Sequence, residues 1–215
     1  MTDRNFWLNR WVNGETGWHQ DEVEENLVEY FPADLSNARV FVPLCGKSRD
    51  LAWLASKGHQ VTGVEFSDMA ARAFFEESGV TPEHGVRGPF QSFTSGKLTI
   101  LVGDFFALTP EILGPVDLVY DRAALIALPR PTRVRYAAGI KSLARGARIL
   151  ELVMEREPAD DNGPPFSVPA SEIASLYGDD FEIRPLYREW FETDRAPSGR
   201  ALDCVYLLSP RRALG

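Results

Sequence analysis

The residues able to do chemistry fall at the ends of apolar runs: Gly46, Glu65, Asp104 with Phe105, and the pair Asp121 and Arg122. Glu65 closes the run that starts at Val61, about twenty residues after Gly46. An ionised carboxylate there has lone pairs for two hydroxyl donors, which suits the 2′- and 3′-hydroxyls of a ribose. A glycine turn brings backbone N–H groups close to the remainder of such a ligand. A dinucleotide would need G-x-G-x-x-G, with further glycines to admit a pyrophosphate, whereas Gly46 is followed by Lys47 and Ser48. The spacing predicts an adenosine-containing cofactor without phosphates, of which S-adenosylmethionine is the commonest. A P-loop reading of Gly46, Lys47 and Ser48 fails because the earlier glycine it requires is replaced by Phe41.

Asp104 is placed to accept from an adenine amino group while Phe105 packs on the ring. Phe105 and Phe106 as core aromatics facing opposite ways is the competing reading. Asp121 and Arg122 directly follow the apolar V-D-L-V-Y. Burying such charges is costly, so the two are expected at a site, or else as an internal ion pair fixing the loop that follows. A strand-end carboxylate such as Glu65 can also cap the next helix, but Ser67 already offers that cap. His19, after Gly17 and Trp18, could line a pocket, and His59 and His84 read as loop residues. The Cys/His spacing matches no metal site, the scattered acids suggest none, and no G-x-S-x-G elbow is present.

Positioning these residues requires strands that alternate with helices. Periodicity predicts strands at 40–45, 61–66, 98–103, 116–120, 148–154, 181–190 and 201–208. Helices are predicted at 21–30, 48–57, 68–77, 131–143 and 170–177, with Ser67 as an N-cap. The Gly- and Pro-containing span 79–96 reads as an irregular excursion that ends in a hairpin at Ser95 and Gly96. The alternation implies an α/β fold with a mostly parallel sheet covered on both faces, and ligands at the carboxyl ends of its strands. The last two strands lack a helix between them and are expected to form an antiparallel hairpin at the sheet edge. No linker marks a second domain, so residues 1–215 are expected to form one, with the aromatic segment 1–35 set apart before the first strand.

Composition narrows the partners. A net charge of -8 argues against nucleic acid, which needs clustered cations, and Arg130, Arg133 and Arg135 read as the exposed face of a helix. No apolar run approaches the ~18 residues that crossing a bilayer requires. Two cysteines, Cys45 and Cys204, both in predicted strands, and no signal peptide fit a reducing cytoplasm. Without a long amphipathic seam, a monomer acting on a small molecule is expected.

Four blocks of the sequence are similar to the thiopurine S-methyltransferase family. They are F-W-x-x-R-W-V-N-G-E-T-G-W-H-Q at 6–20, V-P-L-C-G-K-S-R-D-L-A-W-L-A-S-K-G-H-Q-V-T-G-V-E at 42–65, V-Y-D-R-A-A-L-I-A-L at 119–128 and G-P-P-F-S-V-P at 163–169. The resemblance implies a three-layer, Rossmann-like class I methyltransferase fold: a seven-stranded, mostly parallel sheet with one antiparallel strand near its C-terminal edge. It implies S-adenosyl-L-methionine as methyl donor and an aromatic or heterocyclic thiol as acceptor. Cofactor contacts would be Trp11, Leu44, Gly46, Glu65, Asp104, Phe105 and Arg122. Trp7 and Trp18 would wall the acceptor pocket as parts of a helical flap over 1–35. Arg195 matches an arginine near the acceptor in the family's late loop, with Arg200 its rival.

Transfer would be an in-line displacement by sulfur on the methyl carbon. Positioning of the reacting atoms would supply up to about 7–11 kcal/mol. Arg122 or Arg195 would favour the acceptor thiolate, or Asp121 would take the thiol proton through a water. Acceptors such as halide, thiocyanate or selenium and tellurium compounds, and a non-catalytic S-adenosylmethionine-binding module, are the alternative readings. A nucleotide-binding oxidoreductase is disfavoured by the missing glycines.

Overall fold

The computed structural model describes residues 4–156, 163–194 and 196–211. Two compact units divide the chain, one up to Leu118 and the other from Val119 onward.

In the first unit, helices α1 (Arg4–Val12) and α2 (Glu25–Tyr30) precede β1 (Arg39–Pro43), α3 (Asp50–Ser56), β2 (Gln60–Glu65) and α4 (Asp68–Glu77). Then come β3 (Glu83–Arg87), β4 (Phe90–Ser95), β5 (Leu98–Val102), a 3-10 turn at Phe105–Ala107 and the short helix α5 (Pro110–Leu113). Strand order is β3-β4-β5-β2-β1. Val40, Phe41, Val42, Val61, Val64, Ile100 and Leu101 are all buried, as strands covered on both faces require. β1 runs parallel to β2 with Pro43 opposite Val64, and β2 runs parallel to β5 with Glu65 opposite Val102. That register aligns the carboxyl ends of the three strands, so segments 44–46 and 103–105 emerge beside Glu65. Ser67 caps α4 as its type predicts, its hydroxyl accepting from the Ala70 N–H at 3.3 Å.

The hairpin expected at Ser95 and Gly96 is present, but the span before it is not irregular. β3 pairs antiparallel with β4, and β4 with β5 through the turn at Gly96. Phe90 and Phe93 supply the reason: both point into the core, three residues apart on the two sides of the β4 register, while every residue of β3 is exposed. A sequence so polar outside two phenylalanines masks its strand character. His84 therefore lies in β3, with its ring edge-on to Phe93 at 4.6 Å. His59 stands in a loop but is buried, and its Nδ1 accepts from the Ala38 N–H at 3.1 Å.

The second unit takes up the chain within β6 (Leu118–Arg122) and continues through α6 (Ala124–Ala127), α7 (Arg130–Leu143), β7 (Arg148–Arg156), α8 (Ala170–Tyr177), β8 (Phe181–Glu192) and β9 (Arg200–Pro210). Strand order is β6-β7-β9-β8. β9 is antiparallel to both β7 and β8, so the last strand is the reversed one and β8 lies outside it. Among the described residues there are nine strands where seven were expected, the additions being β3 and β4. Arg133 departs from the exposed face foreseen for it. It is buried on α7 one turn before Tyr136, donating to the Leu128 and Ser167 carbonyls at 2.8 and 3.1 Å and to Glu172 at 2.8 Å. Cys45 falls in the turn after β1 and Cys204 in β9; both are buried free thiols. No helix among the described residues is long and apolar enough to cross a membrane.

Candidate active site

Glu65 organises the turn that follows β1. Its Oε2 accepts from the Gly46 N–H at 2.9 Å and its Oε1 from the Ser67 N–H at 2.8 Å. Burial pushes its carboxyl up to about 7, against the lowering effect of the Ser67, Gly46 and Phe66 N–H groups. The carboxylate keeps acceptor capacity beyond these backbone donors, which suits a ligand that presents hydroxyl groups. The turn itself is strained into that shape: Leu44 has φ 47° and Gly46 φ 54°, both left-handed. Gly63 on β2 lets the turn close, because a Cβ there would lie 2.7 Å from the Cys45 Sγ.

Trp11, on α1, lies against this turn. A Cβ at Gly46 would stand 3.5 Å from its ring. Trp18 meets Trp11 and Trp7 edge to face, with centroids 5.6 and 5.1 Å apart, so all three tryptophans form one wall. The Arg10 guanidinium lies over Trp18 at 5.5 Å. His19 is mostly buried beside them, and burial lowers its pKa. At the end of β5, Asp104 is exposed and its Oδ1 accepts from the Phe106 N–H at 2.9 Å, capping the 3-10 turn. Phe105 is buried and Phe106 exposed, with their rings perpendicular at 5.3 Å. The first unit thus gathers Trp7, Trp11, Trp18, Leu44, Gly46 and Glu65 around one turn, with Asp104 and Phe105 two strands away at the same strand ends.

In the second unit, Asp121 and Arg122 leave β6 on opposite faces, as consecutive strand residues must. Asp121 is wholly buried, and its Oδ2 accepts from the Tyr136 hydroxyl at 2.5 Å. Burial pushes its carboxyl up to about 7, with the Tyr136 hydroxyl and the Ala124 N–H opposing. Arg122 is half-buried. Arg195 lies outside the described residues; Arg200 opens β9 and stacks on Trp190 at 4.5 Å. The sequence reading missed Glu151, a second wholly buried acid on β7. Its signal was present: a lone Glu in the middle of R-I-L-E-L-V-M.

The fold is shared with solved methyltransferases. One is a Burkholderia thailandensis 1,6-didemethyltoxoflavin-N1-methyltransferase with bound S-adenosylhomocysteine (TM-score 0.68, 18% identity, covering 97% of this chain and 87% of that one). Another is a magnesium protoporphyrin IX methyltransferase from Synechocystis, also with S-adenosylhomocysteine (TM-score 0.64, 16% identity, covering 96% and 100%). The fold is that of a class I, S-adenosylmethionine-dependent methyltransferase. The family model for thiopurine S-methyltransferase matches residues 2–203. A thiopurine S-methyltransferase from Xanthomonas campestris is 43% identical over 187 residues, 86% of each protein. One from Xanthobacter autotrophicus is 42% identical over 212 residues, 95% of this chain and 97% of its own. The chain belongs to the thiopurine S-methyltransferase family, and it is an enzyme that uses S-adenosylmethionine as methyl donor.

Proposed function

We propose that the enzyme methylates the sulfur of an aromatic or heterocyclic thiol of the thiopurine type. The observation that carries this reading is the wall of Trp7, Trp11 and Trp18 beside the Gly46 turn, in a chain of the thiopurine S-methyltransferase family. Bound S-adenosylmethionine supplies a methyl carbon made electrophilic by its sulfonium. Glu65 accepts from its ribose hydroxyls, and Leu44, Gly46 and Trp11 line the turn around it. Asp104 and Phe105 serve the adenine side. Residues 1–35 act as a flap in a single methyltransferase domain of 1–215, with Trp7 and Trp18 presenting flat apolar surface to an aromatic acceptor.

Arg122 and Arg195 are the cations assigned to hold the acceptor sulfur as thiolate, the form that attacks. Asp121 does not suit the part of a solvent-linked base, because its carboxyl is closed off and engaged by Tyr136. The buried free cysteines accord with a reducing cytoplasm and the enzyme is read as a monomer.

Incubating the protein with methyl-labelled donor and a panel of aromatic thiols, aliphatic thiols, selenols, thiocyanate and halides tests the acceptor class. Aromatic thiols should be methylated with the highest kcat/KM. Faster turnover of a halide or selenol would replace this reading with its nearest rival, and donor binding without transfer to any acceptor would leave only a binding module.

A further inference from the structure

The second unit buries two acids and two tyrosines on β6, β7, α7 and α8. Asp121 on β6 and Glu151 on β7 are both wholly buried, as are Tyr136 on α7 and Tyr177 on α8. The Tyr136 hydroxyl donates to the Asp121 Oδ2 at 2.5 Å, the short end of charge-assisted O–H···O bonds, and the Ala124 N–H also acts on that carboxyl. The Asp121 Oδ1, both Glu151 oxygens and the Tyr177 hydroxyl find no partner of hydrogen-bonding geometry among the described residues. Four unpaired polar atoms in one closed cluster would be very costly if both acids were ionised.

The titratable groups that act on one another within the cluster are all of the acidic kind. Glu151 is driven up by burial and by the charge of Asp121. Tyr177 is raised by burial, then by Glu151 and Asp121, and Tyr136 by burial, then by Asp121, Tyr177 and Glu151. From β9, Tyr206 stands opposite Glu151 in the ladder, but its hydroxyl is directed to Glu155 at 3.5 Å. Arg133, the buried cation of α7, is engaged with Leu128, Ser167 and Glu172.

We propose that Asp121 and Glu151 form a proton-holding pair, keeping at least one proton between them at neutral pH, and that loss of that proton loosens the second unit at β6 and β7. The held proton makes the folded protein bind more protons than the unfolded chain, in which both acids ionise near 4. Stability is therefore fully present below about 4, falls as the pH rises, and continues to fall through about 7, where Asp121 titrates. Each extra proton held makes the unfolding constant rise about tenfold per pH unit across that window. Arg122 ends the same strand as Asp121, so the pair also gives the site's own strand a dependence on pH.

Urea unfolding of the wild type, Glu151→Gln and Glu151→Leu between pH 5 and 9 tests the pair. The wild type should lose stability with rising pH, and both variants should show a shallower slope and exceed the wild type at pH 9. Equal slopes in all three proteins would overturn the proposal. The infrared spectrum gives a second test once the raised Glu65 carboxyl is removed as Glu65→Gln. A protonated buried carboxyl that persists at pH 7 in that variant supports the pair, and only ionised carboxylates refute it. Neither readout involves methyl transfer, so failure here leaves the proposed function standing, and the reverse.

Discussion

At Glu65 burial and hydrogen bonding pull in opposite directions, and burial prevails, leaving the carboxyl at about 7. Ribose hydroxyls donate best to the ionised form, so donor affinity should rise as pH increases from 5.5 towards 8.5 and level off above about 7. Calorimetric titration with S-adenosylhomocysteine across that range checks the sign; a flat profile would mean that Glu65 is already ionised throughout. The same group works the other way on folding. A raised folded pKa means that its contribution to stability is complete below its unfolded value and fades as pH passes about 7. Gly46 offers a test of the turn beside it. With φ at 54°, a Gly46→Ala chain must hold a left-handed alanine at a cost of about 1–2 kcal/mol. Denaturant unfolding should show that loss, with weaker donor binding alongside it.

Elements were legible where side-chain period and caps agreed. Ser67 announced α4, whose bounds match those predicted, and the β1–turn–β2 passage could be read from its apolar runs and closing acid. β3 escaped because it buries nothing, and its pairing is carried by backbone bonds to β4 that no side-chain pattern records. Arg133 was misread because a charged residue on a helix is usually solvated, whereas here acceptors on Leu128, Ser167 and Glu172 help make burial tolerable. Two ties between elements can be cut selectively. Gly63→Ala brings a methyl to 2.7 Å from the Cys45 Sγ, forcing β2 and the turn apart at about 1–3 kcal/mol. Tyr136→Phe removes the bond that joins α7 to Asp121 on β6 and should cost about 1–3 kcal/mol in urea unfolding. An unchanged midpoint would show that the 2.5 Å contact carries no stability.

For the whole molecule, the α/β class followed from the alternation of strands and helices, the donor from the spacing of Gly46 and Glu65, and the family from four ordered blocks. The seven strands expected became nine because a polar excursion folded onto the edge of β5. Asp121 was expected to face a ligand, and its burial with Tyr136 depends on α7, an element whose packing the sequence near Asp121 does not encode. Glu65 is the anchor assigned to the donor, and one measurement bears on that role directly. S-adenosylhomocysteine titrated into the wild type and into a folded Glu65→Ala variant should show an affinity loss of roughly ten- to a hundredfold, the size of losing a charged hydrogen-bond acceptor. Affinities within twofold of each other would contradict it.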